Sequence, residues 1–179
     1  MALDRTRTLR GALAGAAGAA AWAAQQPLDK RVFGIDHDDV ELLGKLLTRE
    51  RAWIPAGLAV HVANGALFGA LYANIAPSLP VPAAARGPLA GLVEHLATWP
   101  ATALIDRLHP ARGDFPPLWR SGRAFAQATW RHLVFAVVLG EIERRLNPPV
   151  DAPPAMDDAA VSSNGHGSIE HLVAVGPAD

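Results

Sequence analysis

Residues 57–73 read GLAVHVANGALFGALYA. They lie inside a longer run, Ala52–Ala85, in which His61 alone can charge near neutral pH. A run of that length exceeds the roughly 17–25 apolar residues that cross a bilayer as a helix. It shows no strand-like alternation, and Ala and Leu favour helix. The segment therefore predicts a membrane-spanning helix over about 54–76.

Three further runs repeat the pattern. Gly11–Leu28 is 18 residues without a formal charge. Gly87–Ile105 is interrupted only by Glu94 and His95, and Ala124–Gly140 only by Arg131 and His132. They predict helices over about 9–28, 87–105 and 121–144. Arg5, Arg7 and Arg10 precede the first run as a signal sequence's charged region would, but the run is long and three others follow, so it reads as a retained first helix. Each helix carries small residues four apart: Gly11/Gly15, Gly65/Gly69, Gly87/Gly91 and Ala136/Gly140. Such stripes let backbones approach where lipid supplies little hydrophobic drive.

The halves resemble each other. Gly11-Ala-Leu-Ala-Gly15 matches Gly87-Pro-Leu-Ala-Gly91, Trp22 matches Trp99, and Asp29-Lys30 matches Asp106-Arg107. Trp53 corresponds to Trp119, His61 to His132, Gly69 to Gly140 and Pro77 to Pro148. The expected fold is all-α: four transmembrane helices as two tandem-duplicated hairpins, 9–77 and 87–148, related by a pseudo-two-fold axis along the membrane normal. The four tryptophans then fall on one membrane side, where amphipathic rings settle.

Asp36–Trp53 reads as a short interfacial helix, capped by Asp38 with Glu41 three residues later. After residue 148 the chain turns rich in Pro, Ser, Gly and Asp, so 149–179 is expected to be a disordered acidic tail with a weak structured patch at Ile169–Val175. His166 and His171 are too isolated there to argue a metal site. Residues 1–148 form the expected membrane domain.

Half of the 179 residues are hydrophobic and 18% are charged, below the ~25% of ordinary soluble domains. Net charge is −1, which leaves nucleic-acid binding without an electrostatic footprint. The absence of cysteine excludes disulfides, thiolate metal sites and cysteine nucleophiles. No phosphate-binding, dinucleotide or nucleophile-elbow motif occurs. The expected location is the cell (inner) membrane, with the bilayer and a second copy or a membrane partner protein as partners, and without cofactor or metal. Orientation stays open. The Trp-side loops hold more Lys/Arg than the opposite side, but the basic cluster before the first helix pulls the other way.

Ionisable groups within spans are rare and usually face the bundle interior in pairs. Glu94, Arg131, His61, His95 and His132, with Asn64, form the candidate intramembrane cluster, and a Glu94–Arg131 ion pair is expected near the bilayer centre. The leading reading is structural, the pair fixing helix register in a non-enzymatic scaffold or assembly component. The second is a small transporter or proton-coupled channel using Glu94 and the histidines. The third, a metalloenzyme built on His61, His95, His132 and Glu94, lacks any HExxH-like spacing. A second candidate site is the interfacial loop with Asp106, Arg107 and His109, joined by Asp29 and Lys30. It could hold an anionic headgroup, although a turn set by its prolines explains it more simply.

The segments DDVELLGKL, GLAVHVANGALFGALYA, VEHLATWPATALIDRLHPARGDFPPLW and RHLVFAVVLG resemble a family of small multi-pass membrane proteins from high-GC actinobacteria. The likeness covers about residues 10–145. Glu94, Trp99, Pro100, Asp106, Arg107, His109, Pro110 and His132 fit its pattern. The resemblance implies a membrane location and this residue set, and no activity.

Overall fold

Asp4 caps the first helix by accepting a hydrogen bond from the Arg7 backbone N–H, and Gly34 ends it in the left-handed region (φ 66) that glycine enters without steric cost. The computed structural model describes residues 4–148; the expected tail lies outside the described residues. The described residues form an all-helical fold without a strand among them: α1 Arg5–Phe33, α2 Asp39–Leu47, α3 Trp53–Ile75, α4 Ala83–Thr98, α5 Thr102–Leu108 and α6 Gly122–Leu146.

Most helices expected from the sequence occur, with shifted ends. The third differs in kind. It was expected over 87–105, but α4 stops at Thr98, a single 3-10 turn covers Trp99–Ala101, and α5 follows. Pro100 supplies no backbone N–H and crowds the preceding turn, which favours a break there, although α1 runs on through Pro27. Asp38 does cap the short helix, its carboxylate accepting from Glu41 N at 3.0 Å.

Backbone contact through small residues organises the packing. A Cβ on Gly15 would meet the Gly65 carbonyl and lie 2.9 Å from Gly69 Cα, so α1 and α3 touch backbone to backbone. Gly87 and Gly91 bring α4 equally close to Ala136 and Gly140 of α6. Gly18 sits where α1 meets α6: a Cβ there would lie 2.9 Å from the Phe135 ring and carbonyl. The order across the bundle is α3, α1, α6, α4, and α4 does not pack along α3. At one end Arg7 joins three helices: it donates to the Ala73 carbonyl at 2.5 Å and pairs with Glu143 at 3.0 Å.

The interior is built from small and polar groups. Ala14, Ala73, Ala136 and Leu139 are fully buried, and the largest buried side chains include Arg131, His95, Gln127 and Asp29. Many large aliphatic residues point outward, with Leu13 66% and Leu67 63% exposed.

Four membrane-crossing helices were expected. One helix among the described residues, Trp53–Ser78, is long and apolar enough to cross, with mean hydropathy 1.5. The others fall short for identifiable reasons. The apolar content of α1 is mostly Ala and Gly, α4 has only 16 residues, and α6 carries Gln127, Arg131 and His132 with Glu and Arg at its end.

Candidate functional site

Arg131 anchors the end of the bundle opposite Arg7. Its Nε and Nη2 donate to the two Asp29 oxygens at 2.7 and 2.6 Å, a bidentate pair between α6 and α1. Its Nη1 reaches Asp39 at 2.5 Å and its Nη2 the His37 carbonyl at 2.9 Å. Gln127 donates to Asp29 at 2.8 Å, and the Trp22 indole N–H to Asp39 at 3.0 Å. Both Arg131 and Asp29 side chains are buried. On α2, burial opposes ionisation of Asp39, but His37 and then Arg131 outweigh it and hold the carboxyl far below the usual carboxylate range. Burial likewise opposes the Asp38 charge, while the Glu41 N–H and Lys30 lower its pKa.

The expected Glu94–Arg131 pair is therefore absent, and both residues have other partners. Consecutive residues on a helix point about 100° apart. Arg131 faces α1, where Asp29 offers both oxygens in one plane. His132, the next residue, faces α4, and its Nε2 lies 2.8 Å from Glu94 Oε2. Nor does Glu94 sit deep in a long helix. It lies four residues, about 6 Å, from the end of α4.

The histidines are held individually. His61 Nε2 donates to the Ala19 carbonyl at 3.1 Å. Thr129 gives its hydroxyl hydrogen to the Phe125 carbonyl at 2.8 Å, so at 3.0 Å its oxygen accepts from His95 Nε2. His132 Nδ1 donates to the Ala128 carbonyl at 2.7 Å. Trp22 meets His132 and His61 edge-on, with ring centroids 4.6 and 5.4 Å away.

These groups surround a cavity of about 310 Å³ where α3 and α4 stand apart. His61, Asn64, Glu94, His95, Arg131 and His132 all line it, so every member of the expected cluster meets at one place. Trp22, Phe68, Trp99 and Phe135 give its wall an aromatic character. The cluster does not converge as a metal-binding group among the described residues.

The expected loop site is dispersed. Asp106 accepts from Leu118 N at 3.0 Å and Trp119 N at 2.8 Å, which holds the loop before α6. His109 donates to the Leu42 carbonyl at 3.0 Å, Arg107 is exposed, and Lys30 pairs with Asp36 and Asp38. Asp29 belongs instead to the Arg131 network.

Sequence reasoning missed His37 and Asp39 as wall residues. The only signal was an acid beside the Asp38 cap, and no helical spacing links position 39 to position 131. Compared with known proteins, the chain matches no family model, no curated protein and no solved structure.

Proposed function

We propose that this is a multi-pass membrane protein that binds a small solute in the cavity between α3 and α4. The observation that carries the solute reading is the meeting of all six expected polar residues around open space rather than in a dry seam. A purely structural pair would be packed and fully bonded, as Arg131 and Asp29 are. The Glu94 side chain stays 33% exposed with one ion-pair partner.

The membrane part of the reading is supported by the inverted distribution of side chains. In water, exposing Leu13, Leu67, Leu71, Val93 and Leu96 together costs about 25 cal/mol for each Å² of apolar surface, whereas lipid accepts them. On this reading α1, α3, α4 and α6 cross the bilayer, with α2 and α5 at one interface. The pairs α1/α3 and α4/α6 are the two copies of a duplicated hairpin. The likeness to the actinobacterial membrane proteins fits the same picture.

The cavity reading is tested by thiol accessibility, which the cysteine-free chain makes simple. Asn64→Cys on the cavity wall is expected to react in membranes with a small water-soluble methanethiosulfonate. Leu67→Cys, on the outward face of the same helix, is expected to stay unlabelled. An unreactive Asn64→Cys overturns the open cavity. It leaves the second reading, a non-enzymatic scaffold in which the Arg131–Asp29–Asp39 network simply locks the helices.

A further inference from the structure

We propose that the cavity takes up a small organic cation at Glu94 and releases one proton from the Glu94–His132 pair as it does so. The inference rests on the reading of the cavity as a solute site and gives that solute its chemistry.

The proton follows from hydrogen-bond arithmetic. The Ala128 carbonyl can only accept, so His132 Nδ1, 2.7 Å away, carries hydrogen. A neutral ring of that tautomer presents a lone pair at Nε2. An ionised Glu94 would present another across 2.8 Å, and two acceptors do not close to that distance. A hydrogen bond across that contact takes one shared proton, either on Nε2 as imidazolium or on the carboxyl. Both forms have zero net charge, and loss of the proton leaves −1 at Glu94.

Glu94 is also the wall carboxylate free to change partners. Asp39 is matched by Arg131, the Trp22 indole N–H and His37. The other ionisable groups around the pair are His95 on α4, His61 on α3, Asp39 on α2 with His37 before it, and Arg131 on α6, tied to Asp29 of α1. Arg131, the one permanent cation on the wall, has its guanidinium committed to Asp29, Asp39 and the His37 carbonyl, so no free positive charge invites an anion. Trp22, Phe68 and Trp99 line the cavity, and aromatic walls suit the alkyl shell of a cation. The exchange balances: a cation enters and pairs with carboxylate, His132 becomes the neutral Nδ1–H tautomer, and the displaced proton passes to water. A neutral solute cannot replace that charge.

The test uses the purified full chain in detergent, with phenyltrimethylammonium as probe and its neutral isostere tert-butylbenzene as control. Calorimetry near neutral pH in two buffers of different ionisation enthalpy counts the protons. The cation is expected to bind more tightly than the isostere, with proton release on binding and weaker binding as pH falls. Glu94→Gln is expected to weaken binding about tenfold or more. His132→Asn is expected to bind without proton release. Equal binding of the isostere, or cation binding without proton release by the unmodified chain, overturns the exchange and leaves a solute cavity. Failure of both probes to bind also overturns it, and labelling of Asn64→Cys then shows whether the solute reading falls with it. Should Glu94→Gln not fold, the isostere comparison and the proton count on the unmodified chain decide alone.

Discussion

At the residue scale, Arg131 shows how a charge is kept inside an apolar bundle. It makes four hydrogen bonds, to Asp29 twice, Asp39 and the His37 carbonyl, and thereby joins α6, α1 and the start of α2. Removing one member of a buried, bonded pair leaves the other uncompensated and costs about 3–5 kcal/mol. Arg131→Gln is therefore expected to lower the thermal midpoint sharply, and Asp29→Asn in the same chain to restore part of the loss. Circular dichroism melting in detergent measures both, and an unchanged midpoint for Arg131→Gln would refute the lock. That Arg131 mattered was legible from its place in an uncharged run. Its partner was not, because the partner depends on which face of α6 meets α1. The same rotation sends His132 to Glu94.

At the element scale, close backbone approach decides the architecture. The small residues four apart were legible, and they are the contact stripes: Gly15 on Gly65 and Gly69, and Gly87 on Ala136 and Gly140. Gly15→Val would drive a branched side chain into the backbone of α3, an overpacking that costs about 1–3 kcal/mol when it is tolerated at all. It is expected to separate α1 from α3 and lower the thermal midpoint, whereas Gly113→Ala, which meets nothing within 4 Å, shifts stability by less than about 0.5 kcal/mol. Equal melting of the two variants would show that α1 and α3 do not rely on this contact. The break after α4 was missed because the apolar run continues through Pro100. Composition carries straight on there, while the backbone hydrogen-bond ladder loses a donor at Pro100.

At the scale of the whole molecule, the two helix pairs are alike but their surroundings are not. Under the proposed duplication α1 corresponds to α4, and α3 to α6. The α1–α6 contact is extensive, and its counterpart between α3 and α4 is open, which creates the cavity. One reason lies in the charges: the Arg131–Asp29 bond draws α6 onto α1, and the first copy has Val60 where the second has Arg131. If the four long helices cross a bilayer, the protein is expected to stay in the membrane pellet through alkaline carbonate extraction. Ser78→Cys and Arg112→Cys should then label from opposite sides. Release into the wash, or labelling of both from one side, would refute the multi-pass arrangement. The sequence by itself determined the helices, the small-residue stripes and the set of polar residues, because these follow from local composition and spacing. Only the tertiary structure decided which charges pair and that a cavity opens, because both depend on the rotation of one helix against another, which spacing along a single chain does not encode.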